Sequence, residues 1–407
     1  MLSSLIVLCL IACVRSDEGK WRQIETPQGP VRGRRDPAGL YIFSNIPYAT
    51  VPSGPNKFGA PSPPPIWLQP LETSNKPIIC PQPIMPLFEG KVMQEDCLIA
   101  NIYVPITIQT NLPVVVYIHG GAFELGYGDL LTPKNFVKQN EVIVVTFNYR
   151  LGVHGFLCLG TDDIPGNAGM KDQVQLLKWV KKNIASYGGD PEDVTIAGYS
   201  AGSVSVDLLM LAKSAQGLFN KVIQESGAAV ASISVQINPL ESAKILARKL
   251  NFTDVDDVYA LEEFYKNTPL EMLLGSTFAD RTDASIPFGP CVERKSSLAF
   301  LSDAPVNRVG FLNITDESQL SEEFKNMKRT MRDLWNNFVR HGKPVPEGSS
   351  FPSWPSADAN RSPYMSLGQT MQLESSLLES RARFWDDIYQ RYYREPTPPP
   401  NPPKSEL

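Results

Sequence analysis

The stretch Val194-Thr195-Ile196-Ala197-Gly198-Tyr199-Ser200-Ala201-Gly202, running on to Leu211, decides the fold. Val194 to Ala197 is a β-branched run that reads as a buried strand, and Ala201 to Leu211 reads as a helix. Between them Gly198-Tyr199-Ser200-Ala201-Gly202 fits the G-x-S-x-G pattern of a sharp strand-to-helix turn. A serine at such a turn presents its Oγ to solvent, and the N–H of the next residue can meet a developing oxyanion. A second element, His119-Gly120-Gly121-Ala122-Phe123, follows another strand, Pro113 to Ile118. Its two glycines let main-chain N–H groups approach a substrate oxygen that a side chain would block. Glycine loop and serine turn together point to serine-dependent acyl chemistry.

The surrounding pattern agrees. Gln23 to Thr26, Val31 to Arg34 and Leu40 to Phe43 read as three short strands, the first two a hairpin. Ile99 to Tyr103, Pro113 to Ile118, Val142 to Phe147, Val194 to Ala197 and Val222 to Gln224 read as successive sheet strands. The later ones are unbroken apolar runs, expected of parallel strands covered on both faces. Lys171 to Ala185 is an amphipathic helix stopped at Gly188-Gly189. The expected class is α/β: a doubly wound, mostly parallel sheet with covering helices and the serine at the carboxyl end of a central strand. Beyond Gln224 the chain reads as helical at 239–250, 254–266, 269–274, 321–341 and 375–394. Apart from Ser232 to Ile237, no strand is expected in the final stretch, so later sheet strands are missing from the pattern.

Composition and address narrow the class. The chain has 407 residues, 42% hydrophobic and 20% charged, with a net charge of −5, so no basic surface for nucleic acid is expected. Leu5 to Val14 is an apolar run followed by Val14-Arg15-Ser16, which reads as a signal peptide over residues 1–16. That run is too short to span a bilayer, and no other stretch approaches the length needed. Secretion or the endoplasmic reticulum lumen follows, with the folded domain at 17–395. Four cysteines remain: Cys80 and Cys97 are spaced for a local disulfide, Cys158 reads as a buried free thiol, and Cys291 is unassigned. Asn251 and Asn313 head glycosylation sequons, while Asn360-Arg361-Ser362 is weakened by Pro363. Residues 396–407 form a proline-rich stalk, expected to stand off the body, and end in Lys404-Ser405-Glu406-Leu407, which resembles an ER-retrieval signal for a retrieval receptor. No cofactor and no metal are expected.

On these residues the chain resembles the type-B carboxylesterase and cholinesterase family of α/β-hydrolases. The likeness runs from Val31 to about Pro305 through Ile46-Pro47-Tyr48-Ala49, Glu95-Asp96-Cys97-Leu98, Asn148-Tyr149-Arg150-Leu151-Gly152, Pro165-Gly166-Asn167 and Gly188-Gly189-Asp190-Pro191. The sequence around Ser200, with Gly155 to Thr161 and Ile286 to Cys291, is most similar to insect esterases of the juvenile-hormone-esterase-like and antennal groups. The resemblance implies Ser200 as nucleophile, with Gly120, Gly121 and Ala201 as oxyanion donors. It implies a supporting position for Ser226 behind the reacting groups and a Cys80–Cys97 disulfide. His119 opens the glycine loop as a positioning group, and Tyr199 replaces the glutamate of cholinesterases, which argues against choline esters. The implied substrates are small lipophilic esters of hormone, odorant or xenobiotic type.

The resemblance breaks between Pro305 and about Met327, then resumes at Leu334-Trp335-Asn336-Asn337-Phe338 and Gly342-Lys343-Pro344. Roughly a hundred family residues are absent there, the part expected to carry the catalytic acid and histidine. The chain's three histidines are His119, His154 and His341. His341 reads as a helix C-cap, His154 as a solvated loop residue, and Asp316 and Glu317 lack a family context. No acid–base pair for Ser200 can be assembled, so this form is expected to be impaired. A ligand-binding pseudoenzyme and a truncated isoform are the alternatives. Strands lost from a sheet leave apolar surface, so a shortened chain must repack, dimerise or misfold.

Overall fold

The computed structural model describes residues 20–72, 77–229, 231, 233–274, 286–296 and 299–302, with short pieces at 330, 345, 347–355, 364–367, 371–374 and 398–399. In chain order the strands are β1 (Trp21–Thr26), β2 (Gly29–Asp36), β3 (Leu40–Pro47), β4 (Leu71–Glu72), β5 (Ile78–Ile79), β6 (Val92–Met93), β7 (Ile99–Pro105), β8 (Leu112–Ile118), β9 (Ile143–Phe147), β10 (Gly189–Tyr199), β11 (Lys221–Glu225), β12 (Tyr364–Leu367) and β13 (Met371–Glu374). The helices are α1 (Lys134–Asn140), α2 (Gly152–Phe156), α3 (Ala168–Asn183), α4 (Ala201–Leu211), α5 (Pro239–Lys249), α6 (Val258–Asn267) and α7 (Leu270–Leu273).

One large sheet takes the order β1-β2-β3-β7-β9-β8-β10-β11, with β4 beside β2. It is mixed. The first half, from β1 to β9, pairs antiparallel. The half that carries the serine turn, β9-β8-β10-β11, is parallel. Each parallel step needs a crossover, and the sequence supplies α1, then α2 and α3, then α4. Strands β7 and β9 are buried at every position, in keeping with their largely apolar sequence, and Asn101 and Thr146 are buried with them. Helix α4 matches its expected span, and α3 begins three residues earlier than expected.

The motifs that carried the resemblance act as ties between layers. Asn148 accepts from Gly128 N–H at 2.8 Å and donates to the carbonyls of Ile78 and Cys97. Tyr149 donates its hydroxyl to the His119 carbonyl at 3.0 Å. Arg150, fully buried, clasps Asp172 through Nε at 2.8 Å and Nη2 at 2.6 Å, and donates Nη1 to the carbonyls of Lys57 and Gly59. A buried guanidinium is tolerated only when its donors are satisfied in this way.

Several expectations are corrected. Residues 233–237 form no strand. Val235 is buried, but Gln236 turns its amide to the carbonyls of Phe156 and Gly289 and its main-chain N–H to Pro290, so the segment tethers a loop. Strands do occur late, as β12 pairs antiparallel with β13 inside the unit spanning Leu312–Arg394. Cys158 is not a free thiol: it bonds Cys291, with Cα atoms 6.8 Å apart and a separation of 133 positions in sequence. Gly166, at φ +107°, leaves both sulfurs the room that a Cβ would take. Asn167 fixes the Cys291 main chain from both sides, and Glu293 closes the same network with Lys171 at 2.6 Å. The Cys80–Cys97 disulfide is present as expected. His154 lies inside α2, fully buried, where it was expected on a solvated loop; burial holds its imidazole far below its ordinary pKa, hence neutral. The proline-rich stalk does not stand clear where it is described, because Pro399 is buried against Gly160 and Arg294. The expected helices at 321–341 and 375–394 lie outside the described residues, apart from Thr330, which is helical. Outside them too lie the signal peptide, Asn313, Asp316, Glu317, His341 and Lys404 to Leu407.

Candidate active site

Ser200 stands at the carboxyl end of β10, immediately before α4, with φ 55° and ψ −120°. A non-glycine residue in that conformation is strained, and neighbouring groups hold it. Its N–H donates to the Glu225 carbonyl at 2.8 Å, and its carbonyl accepts from Val204 N–H at 3.0 Å. The two flanking glycines are forced by close approach. A Cβ on Gly198 would lie 2.3 Å from the Gly202 carbonyl oxygen, and one on Gly202 would lie 2.0 Å from that of Ile118. The G-x-S-x-G spacing therefore follows from the contact between the turn, its own helix and strand β8.

The glycine loop meets the turn from the other side. A Cβ on Gly120 would lie 2.6 Å from the Tyr199 carbonyl oxygen and 3.2 Å from Ser200 Cβ. Gly121 has φ +117°, and Ala122 and Phe123 continue the left-handed turn at 57° and 60°. Among the described residues, the N–H groups of Gly120, Gly121 and Ala201 donate to no protein acceptor. Ala201 opens α4, so its free N–H also carries the positive end of that helix. The structure thus brings together Ser200, Gly120, Gly121 and Ala201. Ser226, at the end of β11, is exposed and sits beside the turn because Glu225 and Gly227 flank Ser200's main chain.

His119 is buried and stacks on Tyr149 with centroids 4.4 Å apart, while its Nδ1 lies 2.8 Å from the Gly120 carbonyl. Burial lowers its pKa to about 4, so it is neutral at physiological pH and its Nδ1 carries the proton toward that carbonyl. Gly126 at φ +119° packs directly on the imidazole, which locks the ring and the glycine loop together. This is a positioning arrangement. Among the described residues no side chain hydrogen-bonds Ser200 Oγ. His154, inside α2, makes no hydrogen bond to it either.

A cleft of about 380 Å³ opens onto Ser200 and the glycine loop. Its walls are mostly apolar: Tyr117, Ala122, Leu125, Leu130 and Leu131, with Tyr199 half exposed at the rim. Burial, with the Glu225 charge next, raises the Tyr117 phenol above its ordinary pKa and keeps it protonated. Such a cleft suits an apolar ligand with one polar group at the serine. Asn251 is exposed at the end of α5, accessible to a glycan. The sequence missed the Cys158–Cys291 clasp and the His119–Tyr149 stack, neither of which leaves a local signal.

Residues 20–311 and 309–385 of the chain match the model of the Carboxylesterase family. The chain is 40% identical over 246 residues to the para-nitrobenzyl esterase of Bacillus subtilis, covering 58% of this chain and 50% of that protein. It is 33% identical over 355 residues to esterase FE4 of Myzus persicae, covering 83% of this chain and 62% of that protein. It therefore spans only half to about three-fifths of the length of these curated relatives. Among solved structures, juvenile hormone esterase from Manduca sexta, with OTFP covalently attached, superposes with a TM-score of 0.63 at 32% identity, covering 71% of this chain and 57% of that one.

Proposed function

Because the chain belongs to the carboxylesterase family, we propose that it is by descent a carboxylic ester hydrolase whose nucleophile is Ser200, in a form that lacks the groups needed to activate it. Ser200 Oγ attacks the ester carbonyl and forms an acyl-enzyme. The N–H groups of Gly120, Gly121 and Ala201 receive the oxyanion, and water releases the acid. The observation that carries this reading is the strained Ser200 facing three unengaged N–H groups across an apolar cleft. Substrates are small lipophilic esters, supported by the cleft's leucines and alanine. A covalent adduct on a relative of this fold supports the covalent step.

Impairment follows from what surrounds the serine. The two described histidines are buried, His119 stacked on Tyr149 and His154 inside α2, and no described side chain hydrogen-bonds Ser200 Oγ. The family match falls into two stretches that overlap at residues 309–311, which supports loss of an internal segment there. A serine without its base keeps only the catalysis of its oxyanion hole and binding site, about 10³–10⁴-fold over water. A secretory address, through a signal peptide over residues 1–16 and the tail Lys404 to Leu407, is supported by two disulfides.

Sequencing the native transcript across Ala304 to Leu320 tests the reading, together with p-nitrophenyl ester hydrolysis by each encoded form. An insert carrying an acid and a histidine, in a form that hydrolyses esters through Ser200, establishes the descent. A continuous frame that binds esters saturably without turnover establishes the pseudoenzyme reading. Turnover that survives Ser200→Ala removes the proposal.

A further inference from the structure

Two carbonyls of the glycine loop are held from behind. The His119 carbonyl accepts from the Tyr149 hydroxyl at 3.0 Å, and the Gly120 carbonyl lies 2.8 Å from His119 Nδ1, which carries the proton. In a planar trans peptide the N–H points opposite to the C=O before it. Holding these two carbonyls therefore turns the N–H groups of Gly120 and Gly121 away from the ring stack, and both glycines line the cleft with Ser200. The imidazole that makes one of these bonds is itself backed by Gly126. A Cβ there would lie 2.4 Å from His119 Nδ1 and 2.7 Å from the Gly120 carbonyl oxygen. Gly126 is in turn gripped by Gln82, between β5 and β6, whose side chain is fully buried. Gln82 Oε1 accepts from Gly126 N–H at 2.8 Å, while Nε2 donates to the carbonyls of Gly126 at 2.9 Å and Cys80 at 3.0 Å. One amide thus satisfies both main-chain groups of one glycine and fastens it to the arm of the Cys80–Cys97 disulfide.

We propose that Gln82 is a positioning residue for the oxyanion donors. By fixing Gly126 it holds the His119 imidazole against the Gly120 carbonyl, and so keeps Gly121 N–H aimed at the cleft. The effect on the reaction rests on the reading of Ser200 as nucleophile; the clamp itself does not. Gln82 makes no hydrogen bond to Ser200, so it acts through the glycine loop. The amide is needed for its chemistry as well as its bulk. Its oxygen meets an N–H and its nitrogen meets a C=O, and an apolar side chain of the same length leaves both buried groups of Gly126 unpaired. Gly126 then has to turn to find other partners, and the ring packed on it loses its backing.

Fluorophosphonate labelling of Ser200 in the full chain, over a range of probe concentrations, separates the limiting rate from the half-saturating concentration. Gln82→Met is expected to lower the limiting rate about 10–100-fold, somewhat less than outright loss of an oxyanion donor, with half-saturation little changed. Gln28→Met is the matched control. Gln28 is also buried and also makes three side-chain hydrogen bonds, to the Pro47 and Pro65 carbonyls and from Trp179, away from the glycine loop. Its loss is expected to leave the limiting rate within about twofold of wild type. Gln82→Glu gives a readout that a packing role would not move. An ionised carboxylate accepts from Gly126 N–H but cannot donate to the Gly126 carbonyl, whereas the protonated acid does both. The labelling rate of Gln82→Glu relative to wild type is therefore expected to recover as pH falls from about 8 to about 5. A Gln82→Met rate within about twofold of wild type overturns the proposal, and so does a Gln82→Glu ratio that is flat with pH. If Gln82→Met loses its native circular dichroism, the Gln82→Glu series decides. If the folded wild type takes no label at Ser200, the serine reading falls, and nitrogen NMR of the His119 ring decides the clamp. Loss of the Nδ1–H tautomer in Gln82→Glu at high pH supports the clamp, and an unchanged tautomer overturns it.

Discussion

Replacing both Cys158 and Cys291 by alanine removes the covalent tie between the α2 region and the loop that carries Phe288. The disulfide closes a loop of 133 residues. In the chain-entropy account a loop of that length restricts the unfolded state by about 5 kcal/mol, and measured native disulfides contribute about 2–5 kcal/mol. The native surroundings contain little that opposes this. Gly166 leaves room for both sulfurs, and Asn167 and Glu293 hold the Cys291 side of the loop by hydrogen bonds that survive the substitution. The expected loss is therefore about 3–5 kcal/mol, a large share of the roughly 5–15 kcal/mol typical of a folded domain. Urea unfolding of the double variant against the wild type, both with Cys80–Cys97 intact, measures it. Non-reducing peptide mapping provides the direct check. A stability change below about 1 kcal/mol, or free thiols at both positions in the native protein, refutes the reasoning.

Other outcomes follow from the same geometry. Asp172→Asn leaves the buried Arg150 guanidinium without its counter-charge and is expected to cost about 3–5 kcal/mol in a urea titration. His119 is held neutral with its pKa lowered to about 4. Between its unfolded value near 6.5 and 4 the unfolded chain binds the extra proton, so stability falls as pH drops through that window, by up to about 3 kcal/mol. His119→Phe is expected to flatten that part of the pH–stability curve. Gly120→Ala forces a Cβ against the Tyr199 carbonyl and Ser200 Cβ, displacing the glycine loop; fluorophosphonate labelling of Ser200 is expected to slow by about 10²–10³-fold.

The parallel half of the sheet was legible because its strands are unbroken runs rich in β-branched residues, as at Val194 to Ala197 and Ile143 to Phe147. The serine turn was legible for a related reason: only glycine fits at 198 and 202, so the contact writes itself into the sequence. Long-range chemistry was not. Nothing local to Cys158 announces a partner 133 residues away, and an apolar setting reads equally well as a buried thiol. His154 was misread because Gly152 and Gly155 flank it, yet the five-residue helix they allow buries it completely. At 233–237 the alternation of Ile233, Val235 and Ile237 imitates a strand; with no ladder to join, Gln236 attaches the segment to the 289–290 loop. The β12–β13 hairpin escaped notice because Tyr364 to Leu367 and Met371 to Glu374 contain no β-branched residue.

The central claim, a nucleophile set in a complete oxyanion site but without a base, is tested most directly by the rate at which a fluorophosphonate modifies Ser200 in the folded chain. The account predicts an adduct on the peptide containing Ser200, absent in Ser200→Ala, forming at least about 10³-fold more slowly than in an esterase with its full triad. An adduct elsewhere, no adduct on a folded protein, or a rate equal to that of a fully equipped esterase would contradict it.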